Sequence, residues 1–208
     1  MSVEIWLAFV AASIVLLIIP GPTILTVISY SVAHGRRANV PLVTAVALGD
    51  STALVLSLLG LGALLAVSAF WFTAVKLAGG LYLIYLGVKL LRAGISPQPA
   101  TEATIPGSRW RLFANTYLVT ALNPKGMIFF VAFLPQFLNP AADVTAQLWV
   151  LSVTFVVLAM INTALYAIFA ATARRILTSP RAQRRFNLVG GSLLTGAGIW
   201  ALLARRAA

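Results

Sequence analysis

Apolar positions in this chain fall into six long blocks, and most of the charged residues gather between them. The blocks run over Ile5–Tyr30, Asn39–Val67, Phe70–Leu91, Leu112–Leu138, Gln147–Ala173 and Phe186–Ala204. Each holds about 19 residues or more, enough for a helix to cross a ~30 Å hydrocarbon layer. The pattern predicts an all-α integral membrane fold of six transmembrane helices. Composition agrees, since 61% of the 208 residues are hydrophobic and 9% charged, more apolar than a soluble domain of this length needs. The spans consume most of the chain and leave no soluble domain. The first block lacks a basic start, carries Glu4 and exceeds the usual apolar length of a signal peptide, so it is expected to be retained.

Two blocks are interrupted at matching places, the first at Pro20-Gly21-Pro22 and the fourth at Asn123-Pro124-Lys125. A proline inside a transmembrane helix removes a backbone hydrogen bond, and the freed carbonyls are tolerated only where protein or a water-filled cavity satisfies them. Corresponding interruptions in two halves point to a buried polar site near the midplane. The halves are divided by Ile95 to Ser108, a stretch with three prolines and small polar residues typical of an exposed linker. Residues 1–94 and 109–208 are therefore expected to be two three-helix repeats, joined by a cytoplasmic linker over 95–108. Lys76-Leu77-Ala78-Gly79-Gly80 resembles Asn187-Leu188-Val189-Gly190-Gly191, and Leu83 and Gly87 match Leu194 and Gly198 at the same offset. With an odd number of spans in each half, the repeats are inverted, and a site between them could open alternately to either side. The glycines of blocks three and six would permit close helix approach.

A net charge of +11 would suggest nucleic acid in a soluble protein, but its placement says otherwise. Lys and Arg occur in the first, third and fifth connections, at Arg36, Arg37, Lys89, Arg92, Arg109, Arg111, Arg174, Arg175, Arg181, Arg184 and Arg185, and not in the second or fourth. That alternation puts the basic connections in the cytoplasm and the N-terminus outside; Arg205 and Arg206 run against it. No nucleic-acid partner is expected. Cysteine is absent and the four acidic residues are scattered, which leaves no disulfide, thiol chemistry, metal site or hydrolytic pair to build. No cofactor and no enzymatic activity are expected.

Asp50 lies about 11 residues, or roughly 16 Å, into the second block. It is the only acidic residue inside any block; an intramembrane carboxylate costs about 2.5–3.5 kcal/mol, so it should face a polar interior and carry function. It could bind a substrate ammonium, take up a coupling proton, or pair with Lys125. Lys125 is at similar depth and could hold a substrate carboxylate, neutralise Asp50, or reach the carbonyls freed by Pro124. At both breaks the restarting helix should offer unpaired N–H groups and a positive dipole end to a carboxylate, with Gly21 allowing close approach beside Pro22. Thr23, Thr26, Asn123 and Asn162 could add neutral hydrogen bonds. His34, the one histidine, reads as interfacial, and Trp71, Trp110, Trp149 and Trp200 as an aromatic belt.

In PGPTILTVISYSVAHGRR (Pro20 to Arg37), LGD (Leu48 to Asp50), KLAGGLYLIYLGVKLLRAG (Lys76 to Gly94) and NPKGMIFFVAFLPQF (Asn123 to Phe137), the chain resembles the LysE/RhtB family of bacterial amino-acid efflux proteins. The resemblance implies a homodimer in the cytoplasmic (inner) membrane that exports amino acids by proton antiport. It assigns the family's PGP break to Pro20, Gly21 and Pro22, its Gly-Asp pair to Gly49 and Asp50, and its Asn-Pro-Lys to Asn123, Pro124 and Lys125. Thr23 departs from the Asn or Asp usual after PGP, and Asn39, Pro41 and Ala45 erode the glycine spacing of the second helix. The expected function is export of a small, neutral amino acid by alternating access. The alternatives are a non-transporting assembly protein, a channel, or an exporter of a cationic amino acid or other small solute.

Overall fold

Proline divides the first and fourth blocks into two helices each, as the sequence predicts. A computed structural model describes residues 1–67, 69–92, 108–139, 141–170, 172–173 and 179–203, and every regular element among them is helical. The first block forms α1 (Val3–Ile18) and α2 (Pro22–His34), and the fourth forms α5 (Arg109–Ala121) and α6 (Pro124–Phe133). The other blocks are the continuous helices α3 (Asn39–Val67), α4 (Ala69–Arg92), α7 (Val144–Ile168) and α8 (Pro180–Leu203). Residues 95–107 of the expected linker, Arg174, Arg175, Arg205, Arg206 and the side chain of Lys76 lie outside the described residues.

Local chemistry explains the boundaries. Pro22 and Pro124 each occupy the first turn of a helix, where a missing N–H is harmless and the fixed φ is already helical. Gly35 ends α2 at φ 61°, a left-handed conformation that glycine adopts without a Cβ clash, and a 3₁₀ turn over Gly35–Ala38 leads into α3. Asp143 caps α7 by accepting from the Ala146 N–H at 3.1 Å.

Two stretches among the described residues, Pro22–Gly60 and Val144–Ile168, are long and apolar enough to cross a membrane. A third arises if Arg109–Ala121 and Lys125–Phe137, bent by 44°, count together. Helix α1 has only 16 residues, about 24 Å of rise, so the first block reaches across a ~30 Å core only with both halves counted.

The interior is layered. One apolar cluster contains Phe9, Leu16, Ala53, Leu54, Phe129, Phe130, Phe155 and Ala159; a second contains Val27, Tyr30, Leu42, Val46, Leu112 and Ala167. The first block, α3, the fourth block and α7 contribute to both, and on each of them polar side chains stand between the clusters. Asp50 lies between Val46 and Ala53, Asn162 and Thr163 between Ala159 and Ala167, and both breaks fall in the same layer.

Helix α4 packs along α8 and α3 along α5. The first contact is antiparallel and glycine-dependent. A Cβ on Gly87 would lie 2.6 Å from the Thr195 nitrogen and 2.7 Å from the Gly191 oxygen, and one on Gly191 would lie 2.7 Å from Leu91 Cγ. The close approach expected of these glycines is thus present at Gly87 and Gly191, while Gly196 faces open space.

Candidate functional site

The break in the first block strands a run of carbonyls. In a continuous helix Leu16 and Ile18 would accept from the N–H groups of residues 20 and 22, but both are proline and have none. Gly21 is extended, at φ −119° and ψ −172°, so Leu17 and Ile19 lose their helical partners as well. Three side chains take over. Lys125 Nζ donates to Leu16 at 2.9 Å and Ile19 at 2.7 Å, Asn162 Nδ2 to Leu17 at 3.1 Å, and the Tyr166 hydroxyl to Ile18 at 2.8 Å. All four carbonyls at the negative end of α1 are satisfied, with a cation seated where the helix dipole favours one.

The two breaks also touch directly. Asn123 Nδ2 donates to Thr23 Oγ1 at 3.1 Å, while Asn123 Oδ1 accepts from the Lys125 N–H at 3.1 Å. Asn123 therefore caps α6 from within, and the expectation of an open anion seat at both breaks needs correction. The α6 seat is partly filled by the side chain that precedes Pro124. The α2 seat differs, since its N-cap is Gly21 and makes no side-chain cap bond. Beside it, a Cβ on Gly21 would lie 3.5 Å from Lys125 Cδ and 3.9 Å from Nζ, so the lysine stem runs along this glycine.

Lys125 departs from expectation in its partners. It serves the carbonyls of the first break, not those freed by Pro124, because its side chain crosses from the second half of the chain to the first. Lys125 and Asp50 form no ion pair within 4.0 Å. Asp50 is half-buried and has no hydrogen-bond partner among the described residues. Gly49 is buried against α5, where an added Cβ would lie 2.7 Å from Thr120 Cβ; its absence of a side chain lets α3 carry Asp50 close to α5. Thr26 is occupied locally, donating to Pro22 O at 2.9 Å.

Three residues of this layer escaped the sequence reading. Tyr166 is four residues beyond Asn162 and so shares its face of α7, a spacing that could have revealed it. Thr116 and Thr163 bury hydroxyls that find no hydrogen-bond partner among the described residues; each stands beside an asparagine, Asn115 or Asn162, and the sequence alone does not say which of the two is buried. No group of three His, Cys, Asp or Glu side chains among the described residues could hold a metal ion. The chemistry of the layer is of both signs. It offers helix N–H groups and an ammonium to a carboxylate, and an unpartnered carboxylate to a cation.

A family model for LysE type translocators matches residues 14–205. A Vibrio cholerae protein described as an uncharacterized membrane protein is 33% identical over 199 residues, 96% of this chain and 97% of its own. A homoserine/homoserine lactone efflux protein of Salmonella typhimurium is 33% identical over 207 residues, 100% of both chains. A leucine efflux protein of Salmonella typhimurium is 30% identical over 139 residues, 66% of this chain and 65% of its own. No solved structure matches.

Proposed function

We propose that this chain, which belongs to the LysE type translocator family, is a secondary transporter that exports small, neutral amino acids or related metabolites across the cytoplasmic membrane. It is a membrane translocator and not an enzyme. The observation that carries the reading is the meeting of the two breaks, Asn123 on Thr23 and Lys125 on the end of α1, in a polar layer between two apolar clusters.

The substrate carboxylate sits on the uncapped N–H groups at the start of α2 and on Lys125. The lysine ammonium has three N–H donors and uses two on Leu16 and Ile19, so one remains. Asp50 takes either the substrate ammonium or a proton, one at a time. Loaded with either, its charge is neutralised; empty, it is a bare carboxylate in a low-dielectric layer, which is costly to carry through a conformational change. Exchange of amino acid for proton follows, with the homodimer as the working form.

Chain directions support inverted repeats. The first block and α7 run from the Phe9 cluster toward the Tyr30 cluster, whereas α3 and the fourth block run the other way. Each helix of the first half thus opposes its counterpart in the second, and α4 and α8 are likewise antiparallel. Rocking one three-helix unit against the other would open the layer to each side in turn.

The test is uptake into inverted membrane vesicles driven by a pH gradient, with homoserine and leucine among the amino acids offered. Asp50→Asn is expected to abolish gradient-driven uptake, and a rate equal to wild type would overturn the assignment. A scaffold role predicts instead that Asp50→Leu leaves function intact, since Asp50 has no hydrogen-bond partner among the described residues.

A further inference from the structure

We propose that the cleft between the start of α3 and the start of α5 is a binding site for an anionic phospholipid. The cleft holds about 530 Å³, and its head is lined by Arg36, Arg37 and Arg109. All three guanidinium groups are exposed and none has an acidic partner among the described residues. Guanidinium groups grip phosphate through paired N–H donors, and three around one cleft favour a phosphate diester over a neutral headgroup.

Below the arginines the chemistry changes to apolar. Trp110, which is 73% exposed, stacks on Phe113 with ring centroids 5.6 Å apart, and Phe113 stacks on Tyr117 at 6.3 Å. Together they form an aromatic run down one face of α5. The opposite wall is made by Val40, Pro41 and Thr44 of α3, and the exposed Leu48 lies one turn farther along the same helix face. Thr44 turns its hydroxyl back onto Val40 O at 2.9 Å, so that donor is already used within α3. The two walls converge where Gly49 meets Thr120. Val40 to Gly49 is about 14 Å of helix, close to the ~15 Å hydrocarbon depth of one leaflet.

A basic head above an apolar groove of leaflet length matches one lipid molecule in two places at once. Free phosphate would use only the head. A second copy of this chain would bring its own net charge of +11 against the three arginines. The inference rests on the membrane location and is independent of which solute is carried.

Native mass spectrometry of the full chain, released from detergent after incubation with phosphatidylglycerol or phosphatidylcholine of identical acyl chains, reads the outcome. Wild type is expected to retain phosphatidylglycerol preferentially. Arg36→Gln/Arg37→Gln/Arg109→Gln is expected to weaken that retention by about 100-fold, since each basic side chain near a charged surface is worth about fivefold. Arg181→Gln/Arg184→Gln/Arg185→Gln removes the same charge from α8, where the side chains are exposed, and should leave retention unchanged. Trp110→Ala is expected to weaken retention while sparing the headgroup preference. Equal retention of both lipids, equal loss in the two triple variants, or displacement of lipid by inorganic phosphate or by dimerisation would each overturn the proposal.

Discussion

Four consecutive carbonyls without backbone partners, at Leu16 to Ile19, would be among the costlier things a helix end could bring into a bilayer. Lys125, Asn162 and Tyr166 remove that cost. These residues therefore hold the fold at the proposed site, and their substitutions should rank by how many carbonyls each leaves bare. Lys125→Met exposes two and is expected to lose about 1–3 kcal/mol. Tyr166→Phe exposes one at a partly exposed position and should lose about 0.6 kcal/mol, the mean for a hydrogen bond in a membrane protein. Thermal melting of the two purified variants in the same detergent checks the order; equal midpoints would mean the carbonyls are satisfied by something else. Asp50 and Lys125 were legible in the sequence because a lone charge inside an apolar block is conspicuous. Their partners were not, since a hydrogen bond between residues 109 positions apart leaves no mark in local pattern.

At the level of elements, the prolines set where α1 stops and the side chains of α6 and α7 decide what its end does. Replacing Pro20 and Pro22 by alanine returns an N–H to each of the positions that Leu16 and Ile18 would bond in a continuous helix. The double variant is expected to match or exceed wild-type thermal stability and to lose transport, because a healed helix removes the N-terminal seat of α2 and releases Lys125 from its carbonyls. Melting midpoint and vesicle uptake, measured on one preparation, separate this from simple damage, in which both would fall. Both breaks were readable from their prolines. That α6 caps itself through Asn123 while α2 is left open was not, because the Asn side chain's choice of partner depends on what stands opposite.

The whole molecule constrains sidedness. In the proposed six-span topology Ser2 and Ala142, which border one cleft, lie outside, and Arg37 and Arg109, which border another, lie in the cytoplasm. The chain has no cysteine, and single introduced cysteines report directly. In intact cells, Ser2→Cys and Ala142→Cys are expected to react with a membrane-impermeant maleimide, and Arg37→Cys only after permeabilisation. Labelling of Ser2→Cys without Ala142→Cys would break the six-span topology.

The sequence by itself determined the membrane location, the all-helical class, the two breaks and the two charged residues at their depth, because hydrophobic block length, proline and isolated charge act locally. Family membership was equally legible in its motifs. Tertiary structure alone decided that Lys125 serves the first break and not its own, that Tyr166 joins it, that Gly49 is a packing contact, and that three arginines from two connections share a cleft. Each of these is a meeting of residues from different helices, set by how α3, α5, α6 and α7 pack, and packing is a property of the assembled chain.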